Sequence, residues 1–274
     1  SLTHTYATAG DHLIRIRGSF PNIYFNNTGD NLKVKSVENL GIVGWANLYK
    51  AFYGCTNLTS FTVGRTDTSS VTSMASMFRS MSGLTSLDLS NFNTSLVTST
   101  SAMFQQCTNL ESLNVSSFDA SSVGNMSNMF YICSSLTSLD LSNFNTSSSS
   151  VMSNMFRDAS TLTSLDVSSF DTSSVSNMAS MFLGCSGLTS IVGIEDFNIS
   201  ALNGTGDLTN FITVGKMTTA QYDALLINWD ALTVFAGMSP NFGVSTYTGG
   251  GTAATARANL ISSDGWTISD GGTA

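Results

Sequence analysis

Apolar residues recur along this chain with a fixed step. Met-Phe appears at Met77-Phe78, Met103-Phe104, Met129-Phe130, Met155-Phe156 and Met181-Phe182, always 26 residues apart, and Ala51-Phe52 is a degenerate earlier copy. Leu58, Leu84, Leu110, Leu136, Leu162 and Leu188 keep the same step, as do Phe61, Leu87, Leu113, Leu139, Leu165 and Ile191. Three registers held through six copies define an internal repeat. Within a copy two periodicities alternate. Val175, Met178, Met181, Phe182, Cys185 and Leu188 fall at steps of three and four, which predicts a short amphipathic helix. The Ser-Ser or Thr-Ser ahead of that stripe offers N-cap chemistry. Leu139, Leu141 and Phe144 follow Leu-x-Leu-x-x-Phe, which predicts a short strand closed by a turn at Asn145-Thr146-Ser147. Neither element can bury itself alone. The expected fold is therefore an α/β solenoid with a parallel sheet on one face, short helices on the other and a continuous core between them.

The segment Leu-Thr-Ser-Leu-Asp-Leu-Ser-Asn-Phe, Leu136 to Phe144, resembles the L-x-x-L-x-L stretch of leucine-rich repeats. The longer phrase from Asn125-Met126-Ser127-Asn128-Met129-Phe130 through Cys133 to Leu141 resembles the BspA-like leucine-rich-repeat family of bacterial surface proteins. The resemblance covers about residues 32–197. It implies a right-handed coil and an exposed adhesive or interaction role in surface or phage-encoded proteins, with no enzyme activity.

Solenoid ends need sealing. Residues 1–31 are expected to form an N-terminal β cap. There Leu13-x-Arg15-x-Arg17 and Ile14-x-Ile16, followed by Gly18, Pro21 and Ile23-Tyr24-Phe25, read as two strands around a turn within Thr3 to Phe25. Residues 32–197 hold about six coils. Residues 198–274 leave the repeat as an α+β cap or a separate small domain, with helices at Thr218 to Trp229 and Ala253 to Ile261 and a last strand at Trp266 and Ile268. That segment resembles the tail that closes many BspA-like domains.

Charge narrows the range of partners. Charged residues make up 10% of the chain, against roughly 25% in an average soluble protein. Ser, Thr and Asn do the solvating. A net charge of −8 argues against nucleic acid or an anionic membrane as partner. Seven of the ten basic residues lie at or before Arg79. No apolar run approaches the ~20 residues of a membrane span. The start shows no signal-peptide pattern and no initiator Met, so the chain reads as a piece of something longer.

Candidate chemistry is sparse. The two histidines, His4 and His12, sit in the N-terminal segment, and no nucleophile elbow, phosphate loop or His-x-x-x-His pair is present. Cys55, Cys107, Cys133 and Cys185 share a register with Met81 and Ala159, which predicts buried thiols; Cys107 and Cys133 alone are adjacent enough to bridge. The methionines Met74, Met126, Met152 and Met178 read as core.

The outward positions of the predicted strands are the binding candidates. Alternation puts three parallel ladders outside: Ser86, Ser112, Ser138 and Ser164; Asp88, Asn114, Asp140 and Asp166; Ser90, Ser116, Ser142 and Ser168. Such a hydroxyl-rich, mildly acidic strip suits sugar hydroxyls, and Asp140 with Asp166 could hold calcium, the one cofactor suggested. It also reads as a plain solvated face, because it has no exposed aromatic anchor. A further ladder alternates Asp67, Asn93, Asp119, Asn145 and Asp171, which eases like-charge repulsion and suits turn and helix-cap chemistry. Asp140 and Asp166 could also sit at glycosidase spacing, but an open sheet gives no pocket to raise one pKa.

The expectation is a non-enzymatic extracellular binding or adhesion module on a cell or virion surface. It would recognise a surface glycan or protein receptor through the sheet face, without nucleic acid or membrane insertion, as part of a larger chain or assembly. The alternative is a structural spacer or receptor-binding domain of a phage tail fibre or bacterial surface layer, with its function at the ends. Ice binding through Thr85, Thr137, Thr163 and Thr189 is weakened by Glu111 in the same register.

Overall fold

Copies of the repeat lie beside one another in parallel, because each strand has one apolar face and no partner within its own copy. The computed structural model describes residues 7–213 and 217–274. Six short strands pair two by two. β1 (Ser36–Val37) pairs with β2 (Ser60–Phe61), β3 (Ser86–Asp88) with β4 (Ser112–Asn114), and β5 (Ser164–Asp166) with β6 (Ser190–Val192). All three pairs are parallel, and Leu87 faces Leu113 across a 26-residue step. Two helices follow, α1 (Thr219–Asp230) and α2 (Thr252–Ser262), so the arrangement is α/β.

The expected strand at Leu139–Leu141 does not form, and the sheet is interrupted there. Leu139 and Leu141 are nevertheless buried. Side chains hold this copy to the one before: Ser135 Oγ donates to Thr108 O at 2.7 Å and Asn143 Nδ2 to Ser116 O at 2.7 Å. Since such bonds bridge carbonyls of neighbouring copies, the copies stay in register without a strand ladder.

The larger departure is on the opposite side. No α-helix forms within the repeats among the described residues; the three-and-four stripe is a run of tight turns. In each copy two residues four apart adopt positive φ. The first register is Lys50, Ser76, Ala102, Asn128, Asn154 and Ser180, and the second is Gly54, Ser80, Gln106, Ile132, Asp158 and Gly184. This alternation aims successive amides along the stacking direction. Met74, Ser76, Phe78 and Ser80 N–H donate to the carbonyls of Ser99, Ser101, Met103 and Gln105 at 2.7–3.1 Å, while Met77 and Arg79 close turns back onto Met74 and Ser76. The same four rungs recur between every neighbouring pair from Leu48 through Leu183, and three more join Met178, Ser180 and Phe182 to Asp207, Thr209 and Phe211. Two consecutive four-residue turns return an apolar side chain to the core every three or four residues, which is why the spacing imitates a helix. The Ser-Ser and Thr-Ser pairs ahead of the stripe accordingly cap no helix.

A third side is fastened by threonine. Thr68, Thr94, Thr146 and Thr172 are buried, and each hydroxyl donates to a carbonyl of the next copy, at Asn93, Asp119, Asp171 and Asn198, over 2.8–3.0 Å. Beside them Asp67, Asn93, Asp119, Asn145 and Asp171 each accept from the backbone N–H two residues on. Their role is to close turns.

The core is a set of columns. Phe52, Phe78, Phe104, Phe130, Phe156 and Phe182 stack with centroids 5.6–6.0 Å apart and interplanar angles of 4–10°. Such offset contacts add about 0.5–1.5 kcal/mol per pair beyond burial. The column ends where Phe211 meets Phe182 edge-on at 5.5 Å. Met74, Met126, Met152 and Met178 are fully buried, and all four cysteines are free and buried. Cys107, Cys133 and Cys185 donate to the carbonyls of Phe78, Phe104 and Phe156 at 2.9–3.1 Å. Burial pushes Cys55, Cys107 and Cys185 up to about 12 and raises Cys133 as well.

The two ends differ. Residues 3–6 of the expected N-terminal hairpin lie outside the described residues. From 7 to 25 the chain forms no strand, only a parallel bridge between Asn22 and Asn47. Leu13, Ile14 and Ile16 are exposed, and their alternation finds no partner strand. At the other end α1 and α2 sit within one or two residues of their expected bounds. Thr218 and Gln221 form a reciprocal capping box on α1. Trp229 Nε1 donates to Phe197 O at 2.9 Å, and Asn228 Nδ2 to Glu195 O at 2.9 Å, tying α1 to the last copy. Asp270 is the hub of the tail, accepting from Tyr222 Oη at 2.7 Å and Arg257 Nε at 2.8 Å. The expected strand at Trp266 and Ile268 is absent; single bridges at Ser269 and Thr273 take its place.

Candidate functional site

Strand alternation delivers the predicted strip to the surface. In β3 and β5 the central leucines Leu87 and Leu165 are buried and their neighbours exposed, which places Ser86, Asp88, Ser112, Asn114, Ser138, Asp140, Ser164 and Asp166 outside. Ser116, Ser142 and Ser168 are exposed too, and Ser90 is partly covered. The middle ladder, however, is turned onto its own backbone. Oδ1 of Asp88, Asn114, Asp140 and Asp166 accepts from the N–H of Ser90, Ser116, Ser142 and Ser168 at 2.9–3.1 Å. Those amide bonds hold Asp88 and Asp140 below the usual carboxylate range, and the Ser168 hydroxyl and then its amide do the same for Asp166. The nearby Asp140 charge opposes this at Asp166 without reversing it. Among the described residues no group of three or more His, Cys, Asp or Glu converges. A calcium ion at Asp140 and Asp166 would thus have two carboxylates already engaged in turns, where six to eight oxygens are usual.

The exposed aromatic anchor that the strip lacks stands on the turn side, at the N-terminal end. Tyr24 and Tyr49 are 57% and 40% exposed, and their rings lie 6.2 Å apart at 34°. With Asn22, Ile23 and Asn47 they line an open cleft of about 210 Å³. Asn47 Oδ1 accepts from Tyr49 N–H at 2.7 Å, which fixes the start of the turn. The Lys50 ammonium lies 5.0 Å from the centre of the Tyr49 ring, and the Tyr49 hydroxyl beside it raises its pKa. One turn on, the Arg79 guanidinium covers Tyr53 at 5.0 Å, and Arg157 covers Tyr131 at 5.2 Å three copies later.

Sequence reasoning passed over these residues because it followed the repeat, whereas the cleft is made where the repeat changes. In the register of Tyr49 the later copies carry Ala75, Ser101, Ser127, Ser153 and Ala179. The signal was an aromatic where every other copy has a small residue.

A family model described as "Mycoplasma protein of unknown function, DUF285" matches residues 20–131 and again 107–219. No curated protein matches the chain.

Proposed function

The chain belongs to the family of Mycoplasma protein of unknown function, DUF285, and we propose that it is a non-enzymatic, extracellular binding module whose copies wind as a right-handed solenoid. Phe20 and Phe25, packed on Trp45 and Phe52, close one end, and α1, tied to Phe197, closes the other. The match supports kinship with BspA-like leucine-rich-repeat surface proteins, to which that family is related. The observation that carries the reading is the division of labour within each copy. Backbone rungs and stacked phenylalanines form the scaffold, while the turn-side register of Tyr49 changes residue to Ala75, Ser101 and Ser127 with the rungs kept. A scaffold of that kind presents a surface; it does not assemble a reaction centre. The partner is a surface glycan or protein.

One observation favours a second reading. The Asp and Asn side chains of the strip are committed to their own turns, as in a face that only needs solvation. In that reading the chain is a rigid spacer of a surface layer or tail fibre, acting through its ends. A glycan and host-surface screen with the intact chain, with and without calcium, separates the two. Saturable binding supports the module, and its loss in Asp140→Lys/Asp166→Lys places the contact on the strand side. A folded chain that binds nothing contradicts the module and favours the spacer.

A further inference from the structure

The cleft at Tyr24 and Tyr49 is costly for the fold to keep. Two aromatic rings stay in water at a register that Ala75 and Ser101 fill without loss of the backbone rungs. Next to them Lys50 holds φ 54, a conformation in which the equivalent positions carry Ser76, Ala102, Asn128, Asn154 and Ser180. The left-handed region favours Gly, Asn and Asp, and lysine is not among them. The Lys50 ammonium lies 5.0 Å from the centre of the Tyr49 ring, one of the two rings that line the cleft.

The charge distribution points the same way. Residues 1–79 hold seven Lys and Arg against four Asp and Glu, while residues 80–274 hold three against fourteen. The N-terminal end is basic on an otherwise acidic chain, which steers an anionic ligand to that end. Two tilted aromatic faces suit the flat C–H face of a pyranose, the Asn47 Nδ2 donors suit its hydroxyls, and the ammonium suits a carboxylate.

We infer, building on the binding-module reading, that the Tyr24–Tyr49 cleft is a saccharide subsite and that Lys50 selects sugars bearing a carboxylate. Tyrosine rings supply the platform, and the lysine supplies the preference.

The test is a titration of the whole chain, followed by heteronuclear NMR, with a hyaluronate oligosaccharide and with a neutral maltooligosaccharide of equal length. The hyaluronate probe is expected to bind saturably and more tightly than the neutral one, with shifts centred on Tyr24, Asn47 and Tyr49. Tyr49→Ala, the residue type already present at 75, is expected to weaken binding about tenfold, the scale of one lost aromatic contact. Lys50→Ser is expected to bind both probes alike. Unchanged amide shifts beyond the first two copies show that each variant is folded. Absence of binding by the intact chain, or Tyr49→Ala binding as tightly as the intact chain, overturns the inference. Binding kept in Tyr49→Ala but lost in Asp140→Lys/Asp166→Lys overturns it while leaving the binding-module reading intact.

Discussion

The strand side and the turn side of each copy solve the same problem by different means. On the strand side pairing is intermittent: three separate two-stranded ladders, with a copy at 138–140 that pairs with neither neighbour. On the turn side every interface from Leu48 to Leu183 repeats four backbone rungs, with the phenylalanine column directly behind them. The strand side has the sequence pattern of a sheet but tolerates gaps. The turn side has the spacing of a helix but behaves as the continuous ladder. Regularity of hydrogen bonding therefore follows the left-handed residues rather than the β-branched or leucine-rich stretch.

The largest expected effect is on the column. Phe130→Ala should cost about 3–5 kcal/mol in urea unfolding, because the ring is fully buried and its neighbours are locked in stacks on both sides. Leu139→Ala, on the unpaired strand stretch and slightly exposed, should fall near the low end of leucine truncations, about 2 kcal/mol. Equal costs would remove the distinction between the two sides.

Backbone conformation gives the next test. Asn128→Val places a β-branched residue at φ 59 and should destabilise by about 1–2 kcal/mol, whereas Ser138→Val on the strand side should stay within about 0.5 kcal/mol. Ile132 already sits at φ 59 with a β-branched side chain. Ile132→Gly should raise the thermal midpoint, by an amount corresponding to roughly 1 kcal/mol. A drop on that substitution would mean that the side-chain contacts of Ile132 outweigh its strain.

The smallest effect is acid sensitivity. Asp88, Asp140 and Asp166 on the strand side, and Asp67, Asp119 and Asp171 at the corner turns, all lie below the ordinary value of 3.8 through bonds from the residue two positions on. A carboxyl depressed by folding contributes stability that is present above its unfolded pKa and lost as pH falls through the folded value. Stability should thus decline below about pH 4, starting from the ordinary carboxyl value. Asp88→Asn/Asp140→Asn/Asp166→Asn keeps the accepting oxygen and removes the titration, so its decline in urea midpoint should be shallower. An unchanged slope would assign the acid loss to the corner turns alone.

Much of this was legible in the residues. Met-Phe pairs and the two leucine registers located the phenylalanine column and its leucine neighbours, and the Cys register with Met81 and Ala159 announced buried thiols. The first helix of the tail was readable because Tyr222, Leu225, Leu226 and Trp229 put one apolar side on a run outside the repeat. The helix within each copy was misread because two four-residue turns return side chains inward at helical spacing. The corrective signal was small: Asn128 and Asn154 in one register, and Gly54, Asp158 and Gly184 in the register four residues on, are residues that left-handed backbone favours. The predicted strip was placed correctly on the surface, but its carboxylates were already engaged in turns, which composition alone does not reveal. The tyrosine cleft escaped because it depends on two copies meeting at one end.

The central claim, that the turn side carries the continuous ladder, is tested most directly by residue-resolved amide hydrogen exchange. The amides of Phe78, Phe104, Phe130 and Phe156 are predicted to exchange only through global unfolding, with uniform protection along the column. Those of Ser138, Leu139 and Asp140 are predicted to exchange faster by local opening. Equal protection on the two sides, or stronger protection at 138–140 than at the phenylalanines, would contradict the account.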